Sequence, residues 1–263
     1  MYKFGIIGLG KMGSALLNGV LKSQIYKKEE ILLSAHSEEK KKYYLENGFN
    51  VIQDNVSLIE QCEIILLAIK PQIYWTIKDA LSNDYKNKCF ISIMAGISLK
   101  ELNNTFIRAS IYRAMPNTPC LINKGTTTIC ALKNDDFLPS ISNIFNSCGT
   151  SYFIKEENMD MTLALNGSMP AYIDYFIKGF LESAIKNGLD EKLAKNLLLD
   201  SISGSVELIR QSKDNIDTLI NNVCSKGGTT IAGLNKLEEN NFLKAIDECY
   251  EACKIRSIEL AKK

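Results

Sequence analysis

Histidine is almost missing from this 263-residue chain, which holds a single one, His36. That scarcity removes every Ser-His-Asp arrangement that does not run through His36, and it leaves a cysteine/histidine metal site short of ligands, so no metal is expected. Paired cysteine motifs are missing too. Cys62, Cys89, Cys120, Cys130, Cys148, Cys224, Cys249 and Cys253 contain no Cys-x-x-Cys and mostly lie in apolar runs, the pattern of buried thiols. Charge of one sign is also lacking: 31 basic against 30 acidic residues give a net charge of +1. With no long basic block, neither nucleic acid nor an anionic membrane is an expected partner. No stretch approaches the roughly 18 consecutive apolar residues of a membrane span. The N-terminus reads immediately as strand and loop, without room for a signal peptide, and a cytoplasmic location is expected.

What is present begins at the first residue. An apolar run, Met1 to Ile7, ends in Gly8-Leu9-Gly10-Lys11-Met12-Gly13 and passes into the amphipathic segment Ser14 to Leu21. A G-x-G-x-x-G between strand and helix is a dinucleotide cradle: Gly8 permits the tight turn, Gly10 the approach of a pyrophosphate, Gly13 close helix packing. Free N–H groups at the helix start attract the anion.

Strand and helix then alternate. A second strand ends at Leu33-Ser34-Ala35-His36-Ser37, where an NAD-binding unit would carry an acid for the ribose hydroxyls. The first acid is Glu38, so NADPH is favoured and NADH stays possible. Ser37 also suits the cap of the next helix, which Gly48 closes. The run Glu63 to Ile69 is continuously apolar, as in a parallel strand buried on both faces, and exits at Lys70-Pro71. Further strands are expected at Cys89 to Met94, Ala109 to Ala114, Thr126 to Leu132 and Ser151 to Ile154. Ser98-Leu99-Lys100-Glu101 reads as a capping box.

Near Lys155 the alternation stops and helical patterns follow to Lys262. The expected fold is α/β: an N-terminal Rossmann-type doubly wound sheet over 1–154, followed by an all-α helical substrate and dimerisation domain over 155–263. The helix beginning at Pro170 is apolar on most faces (Tyr172, Ile173, Tyr175, Phe176, Phe180, Ile185), which predicts burial against a second chain.

Between two of those helices lies Ser225-Lys226-Gly227-Gly228-Thr229-Thr230-Ile231. Glycines and hydroxyls at a helix N-terminus bind a small carboxylate without a charged side chain. A plain helix cap needs only one Ser or Thr. The turn Asn166-Gly167-Ser168-Met169-Pro170 has a similar composition.

The segment Asn222 to Glu238, S-x-G-G-T-T-I-A-G-L-x-x-L-E at its centre, resembles the signature of Δ1-pyrroline-5-carboxylate reductases. In order along nearly the whole chain, the loop Gly8–Gly13, Ala68-Ile69-Lys70-Pro71, Ala95-Gly96, Arg113 to Pro119, Asp160 to Ala171 and Gly188-Leu189 resemble the same family. The resemblance implies NAD(P)H-dependent reduction of a small cyclic imine carboxylate to L-proline, the last step of proline biosynthesis. It implies a homodimer through the helical domain, with a decamer as a further possibility. It implies cofactor contacts at Gly8, Leu9, Gly10, Lys11, Met12 and Gly13, at Ser34, His36, Ser37 and Asn55, and at Ala68, Ile69, Lys70 and Pro71 with Ala95 and Gly96 beside the nicotinamide. Substrate carboxylate would lie on Ser225, Gly228 and Thr229, and Thr230 would place its hydroxyl on the ring nitrogen.

Four positions depart from the family pattern: Lys226 stands for a proline, Asn166 and Met169 for a serine and a glycine, and His36 for an arginine. They motivate a rival reading, a non-catalytic or regulatory dinucleotide-binding paralogue. A second rival shares the two-domain plan, the β-hydroxyacid dehydrogenases. Those enzymes use a lysine early on the first long helix of the second domain, and here none occurs before Lys178.

Overall fold

A computed structural model describes residues 1–133 and 135–261. Among the described residues ten strands form: β1 (Tyr2–Ile7), β2 (Ile31–Ser34), β3 (Asn50–Ile52), β4 (Cys62–Leu67), β5 (Asn83–Asp84), β6 (Cys89–Ser92), β7 (Phe106–Ile107), β8 (Ser110–Met115), β9 (Gly125–Ala131) and β10 (Gly149–Phe153). Helices α1 (Lys11–Lys22), α2 (Glu38–Glu46), α3 (Asn55–Gln61), α4 (Pro71–Leu81), α5 (Leu99–Thr105), α6 (Leu138–Asn146) and α7 (Met159–Thr162) lie among and after them. Then come α8 (Met169–Lys186), α9 (Glu191–Gln211), α10 (Ile216–Val223), α11 (Thr229–Glu239) and α12 (Phe242–Ala261). The expected last helical residue, Lys262, lies outside the described residues.

Eight strands make one sheet in the order β10-β9-β8-β6-β4-β1-β2-β3, and β5 pairs with β7 separately. From β3 to β8 all pairings are parallel, β9 runs antiparallel to β8, and β10 runs parallel to β9. The parallel part has the doubly wound Rossmann order, with its switch point between β1 and β4.

Period-2 alternation explains why the strands are apolar throughout. Phe4, Ile6, Ile64, Leu66 and Ile91 enter one core with Leu16, Leu17, Ile141 and Phe145. Ile7, Ile65, Leu67 and Phe90 enter the other with Leu58, Tyr74 and Leu102. A parallel sheet covered on both faces leaves no side of these strands for polar residues.

Two compact units divide the chain: residues 1–170 together with 253–263, and residues 171–252. The segment after the last strand is tied into the first unit by part-buried polar bonds. Glu156 accepts from the Leu99 amide at 2.7 Å and from Arg113, itself buried in β8, at 3.4 Å. In the same unit Ser257 donates to Asp160 at 2.6 Å, returning the end of α12 to α7.

In the second unit Ala194 is the one buried residue of 171–252. Its helices are well delimited all the same: Asp190 caps α9 through the Leu193 amide, Asn215 caps α10 through the Thr218 amide, and Gly188 closes α8 in the left-handed region at φ +91°.

Candidate active site

The carboxyl ends of β1, β2, β4 and β6 share one edge of the sheet, so the loops that follow them are neighbours by topology. The Ala68 amide donates to the Ile7 carbonyl at 2.8 Å and the Ile93 amide to the Leu67 carbonyl at 3.2 Å, which ties the ends of β1, β4 and β6 together. Gly8–Gly13, Ala68–Pro71 and Ala95–Gly96 are therefore collected around the switch point, where open α/β sheets bind their ligands.

The glycine loop is a built cradle. Gly8 has φ +102°, and a Cβ there would stand 2.6 Å from the Ala68 carbonyl oxygen; at Gly13 it would stand 2.2 Å from that of Gly8. Both positions exclude a side chain because backbone fills the space. At Gly10 a Cβ would meet nothing within 4 Å. Gly10 is also the N-cap of α1 and no side chain caps that helix, so its first amides face open space beside a bare backbone. A dinucleotide pyrophosphate fits that combination.

At the second strand, Ser34 is buried and donates its hydroxyl proton to Asn55 Oδ1 at 2.6 Å, which joins β2 to the start of α3. His36 and Ser37 are exposed, and Ser37 caps α2 by accepting from the Lys40 amide at 3.3 Å. The side chain of Lys40 then crosses to the glycine loop, where Nζ donates to the Leu9 carbonyl at 2.8 Å. Nothing in the run Glu38-Glu39-Lys40-Lys41-Lys42 distinguishes this lysine until the fold places it.

Two buried asparagines hold the turn after β8. Asn117 Oδ1 accepts from the Thr126 amide at 2.8 Å and its Nδ2 donates to the Asn166 carbonyl at 3.0 Å. Asn166 Nδ2 donates to the Met115 carbonyl at 2.8 Å. Asn166 thus ties its own turn to the sheet through its Nδ2, a reach that a serine side chain is too short to make, while its backbone carbonyl would accept from Asn117 whatever the side chain.

In the second unit, Ser225, Gly228, Thr229 and Thr230 come together in one turn at the start of α11. Gly227 is left-handed at φ +72°, and the Gly228 amide closes the turn on the Ser225 carbonyl at 2.9 Å. A Cβ on Gly228 would meet the Ser225 hydroxyl at 2.3 Å, so the serine rests against bare backbone. The helix begins at Thr229, so both threonines lie in its first turn. Gly228 is its N-cap and no side chain caps it. Ser225, Thr229 and Thr230 are exposed, and among the described residues their hydroxyls bond to no protein group. Uncapped helix amides and three hydroxyls without protein partners among the described residues thus stand together at this turn.

The five cysteines packed around the sheet are inert thiols. Cys62, Cys89, Cys120, Cys130 and Cys148 are buried, and burial pushes the Cys62 and Cys130 thiols up to about 12, far from the thiolate a nucleophile needs. Among the described residues no cluster of His, Cys, Asp and Glu suits a metal.

A doubly wound Rossmann sheet with a built glycine cradle defines a dinucleotide-dependent oxidoreductase. Residues 3–96 match the family described as NADP oxidoreductase, coenzyme F420-dependent, and residues 156–260 match the pyrroline-5-carboxylate reductase dimerisation family. The pyrroline-5-carboxylate reductase of Synechocystis is 34% identical over 265 residues, covering 99% of each chain. The crystal structure of the Plasmodium falciparum pyrroline carboxylate reductase with NADP bound superposes with a TM-score of 0.87 at 36% identity, covering 99% of this chain and 98% of that one. The enzyme of Streptococcus pyogenes gives 0.88 at 30% identity, covering 98% of each. The chain belongs to the pyrroline-5-carboxylate reductase family.

Proposed function

We propose that this chain reduces Δ1-pyrroline-5-carboxylate to L-proline with NADPH, the last step of proline biosynthesis. The observation that carries the reading is the start of α11, where Ser225, Thr229 and Thr230 present hydroxyls without protein partners beside uncapped helix amides. A carboxylate one ring carbon away from an imine nitrogen fits such a loop: Ser225, the Gly228 backbone and Thr229 take the carboxylate, and Thr230 turns its hydroxyl to the ring nitrogen.

Bound NADPH supplies a hydride to the imine carbon. The chain's own residues then have a modest task, since an iminium carbon is already electrophilic. Orientation is what they contribute, worth about 7–11 kcal/mol when reacting atoms are well aligned. Thr230 hydrogen-bonds the nitrogen as it becomes an amine, while the proton comes from water, because a threonine hydroxyl is too weak an acid to be its reservoir. Scarcity of histidine is no obstacle to such chemistry. In the first unit the cofactor rests on Gly8–Gly13, on Ser34, His36, Ser37 and Asn55, and on Ala68–Pro71 with Ala95 and Gly96.

The assembly in this reading is a homodimer through the helical part, extended to a decamer. Its location is the cytoplasm, a placement supported by eight cysteines that are all free thiols. Neither the regulatory paralogue nor the β-hydroxyacid dehydrogenase gains support from the matched relatives.

Purified protein should oxidise NADPH only when pyrroline-5-carboxylate is present, with proline as product. Folded protein that binds NADPH and turns over no imine would sink the reading.

A further inference from the structure

We infer that Lys40 is the side chain that reads the 2′-phosphate of NADPH. The inference rests on the cofactor reading above and adds a residue that the sequence pattern does not single out.

In a Rossmann unit the pyrophosphate lies on the glycine loop and the 2′ position is read at the end of the second strand, so the adenosine ribose spans the two. Lys40 touches both ends of that span. Its amide donates to Ser37 beside the end of β2, and its ammonium donates to the Leu9 carbonyl inside the glycine loop at 2.8 Å. An ammonium has three N–H groups, and the Leu9 carbonyl takes one, which leaves two for a phosphate.

The other candidates at this edge are weaker donors. Ser34 has committed its hydroxyl proton to Asn55 at 2.6 Å and is buried. The Ser37 hydroxyl oxygen accepts from the Lys40 amide as the cap of α2, which leaves it one neutral O–H to give where an ammonium gives charge-assisted bonds. His36 is exposed.

Lys40 is also uncompensated. Among the described residues no carboxylate pairs with it, whereas Lys42 pairs with Glu46 at 3.8 Å, and the nearest acid to the strand end, Glu38, accepts from Gln53 at 2.6 Å. A flexible, unpaired ammonium parked on a carbonyl is a ready partner for a dianion.

The test is calorimetric binding of 2′,5′-ADP and 5′-AMP, which differ only at the 2′ position, to the unsubstituted protein, Lys40→Met and Lys40→Arg. The unsubstituted protein should prefer 2′,5′-ADP. Lys40→Met should weaken 2′,5′-ADP by about tenfold or more, on the scale of a lost charge-assisted bond, and reduce the preference over 5′-AMP by a similar factor. Lys40→Arg should restore most of that preference, and added salt should erode it more in the unsubstituted protein than in Lys40→Met. Equal weakening of both nucleotides would overturn the inference, since it would mean that Lys40 only steadies Leu9. An unchanged preference would overturn it as well. An unsubstituted protein that does not distinguish the two nucleotides would overturn the NADPH reading beneath it, and that failure is seen without any variant.

Discussion

At the scale of single residues, the proposed substrate site is built from hydroxyls and amides rather than from strong acids and bases. Thr230 sits in the first turn of α11, with its hydroxyl free of protein partners among the described residues. Thr230→Val preserves shape and removes both donor and acceptor. If the hydroxyl strengthens its bond to nitrogen as charge moves in the transition state, kcat and kcat/KM should fall together by roughly 10²-fold while NADPH affinity is unchanged. Ser225→Ala and Thr229→Val should act differently, because backbone N–H groups still hold much of the carboxylate: KM should rise at nearly constant kcat. Steady-state kinetics with the imine varied separates the two patterns. Thr230→Val at full kcat would reduce this hydroxyl to a spectator.

Elements show where reading by eye succeeds and where it stops. The continuous apolar runs of β1 and β4 announce a sheet buried on both faces, and the glycine spacing announces the turn between β1 and α1; both signals are local. Bonds between distant positions are not. Ser98 caps α5 through the Glu101 amide as expected, but the Glu101 carboxylate turns to Lys78 at 2.7 Å instead of closing the box. Asn166 finds Met115 and Asn117 about fifty residues away in sequence, and Lys40 finds Leu9 across 31. Composition around those residues carries no trace of their partners. The glycine loop permits a sharper test. Gly13→Ala places a methyl against the Gly8 carbonyl at 2.2 Å and should cost about 1–3 kcal/mol of stability, the scale of overpacking. Gly10→Ala meets open space and should cost at most about 1 kcal/mol as a poorer cap, yet weaken NADPH binding by about tenfold as the methyl enters the pyrophosphate's place. Thermal unfolding with cofactor titration distinguishes a glycine kept for packing from one kept for ligand.

For the whole molecule, the uneven distribution of burial is the decisive property. Both hydrophobic cores belong to the residues around the sheet, while 171–252 buries Ala194 alone. Along α8 no residue is buried: Tyr175 is 77% exposed and Phe180 49%, and the Phe176 and Phe180 rings pack on each other at 4.9 Å. Beside them Phe180, Leu181, Leu189 and Leu197 line an apolar groove of about 240 Å³ within the helical unit. Helices of this apolar content do not persist against water, and a symmetric partner offers the same surface in return. The apolar excess of α8 is visible in the sequence, whereas the number of chains that cover it is not, since a monomer's pattern is the same in a dimer and a ring. Light scattering at micromolar concentration should find a dimer or a larger closed assembly, with ten chains as the decameric outcome. Because folding of the helical unit is then coupled to association, the unfolding temperature should rise with protein concentration. A stable, fully active monomer whose unfolding temperature ignores concentration would mean that the chain covers α8 by itself.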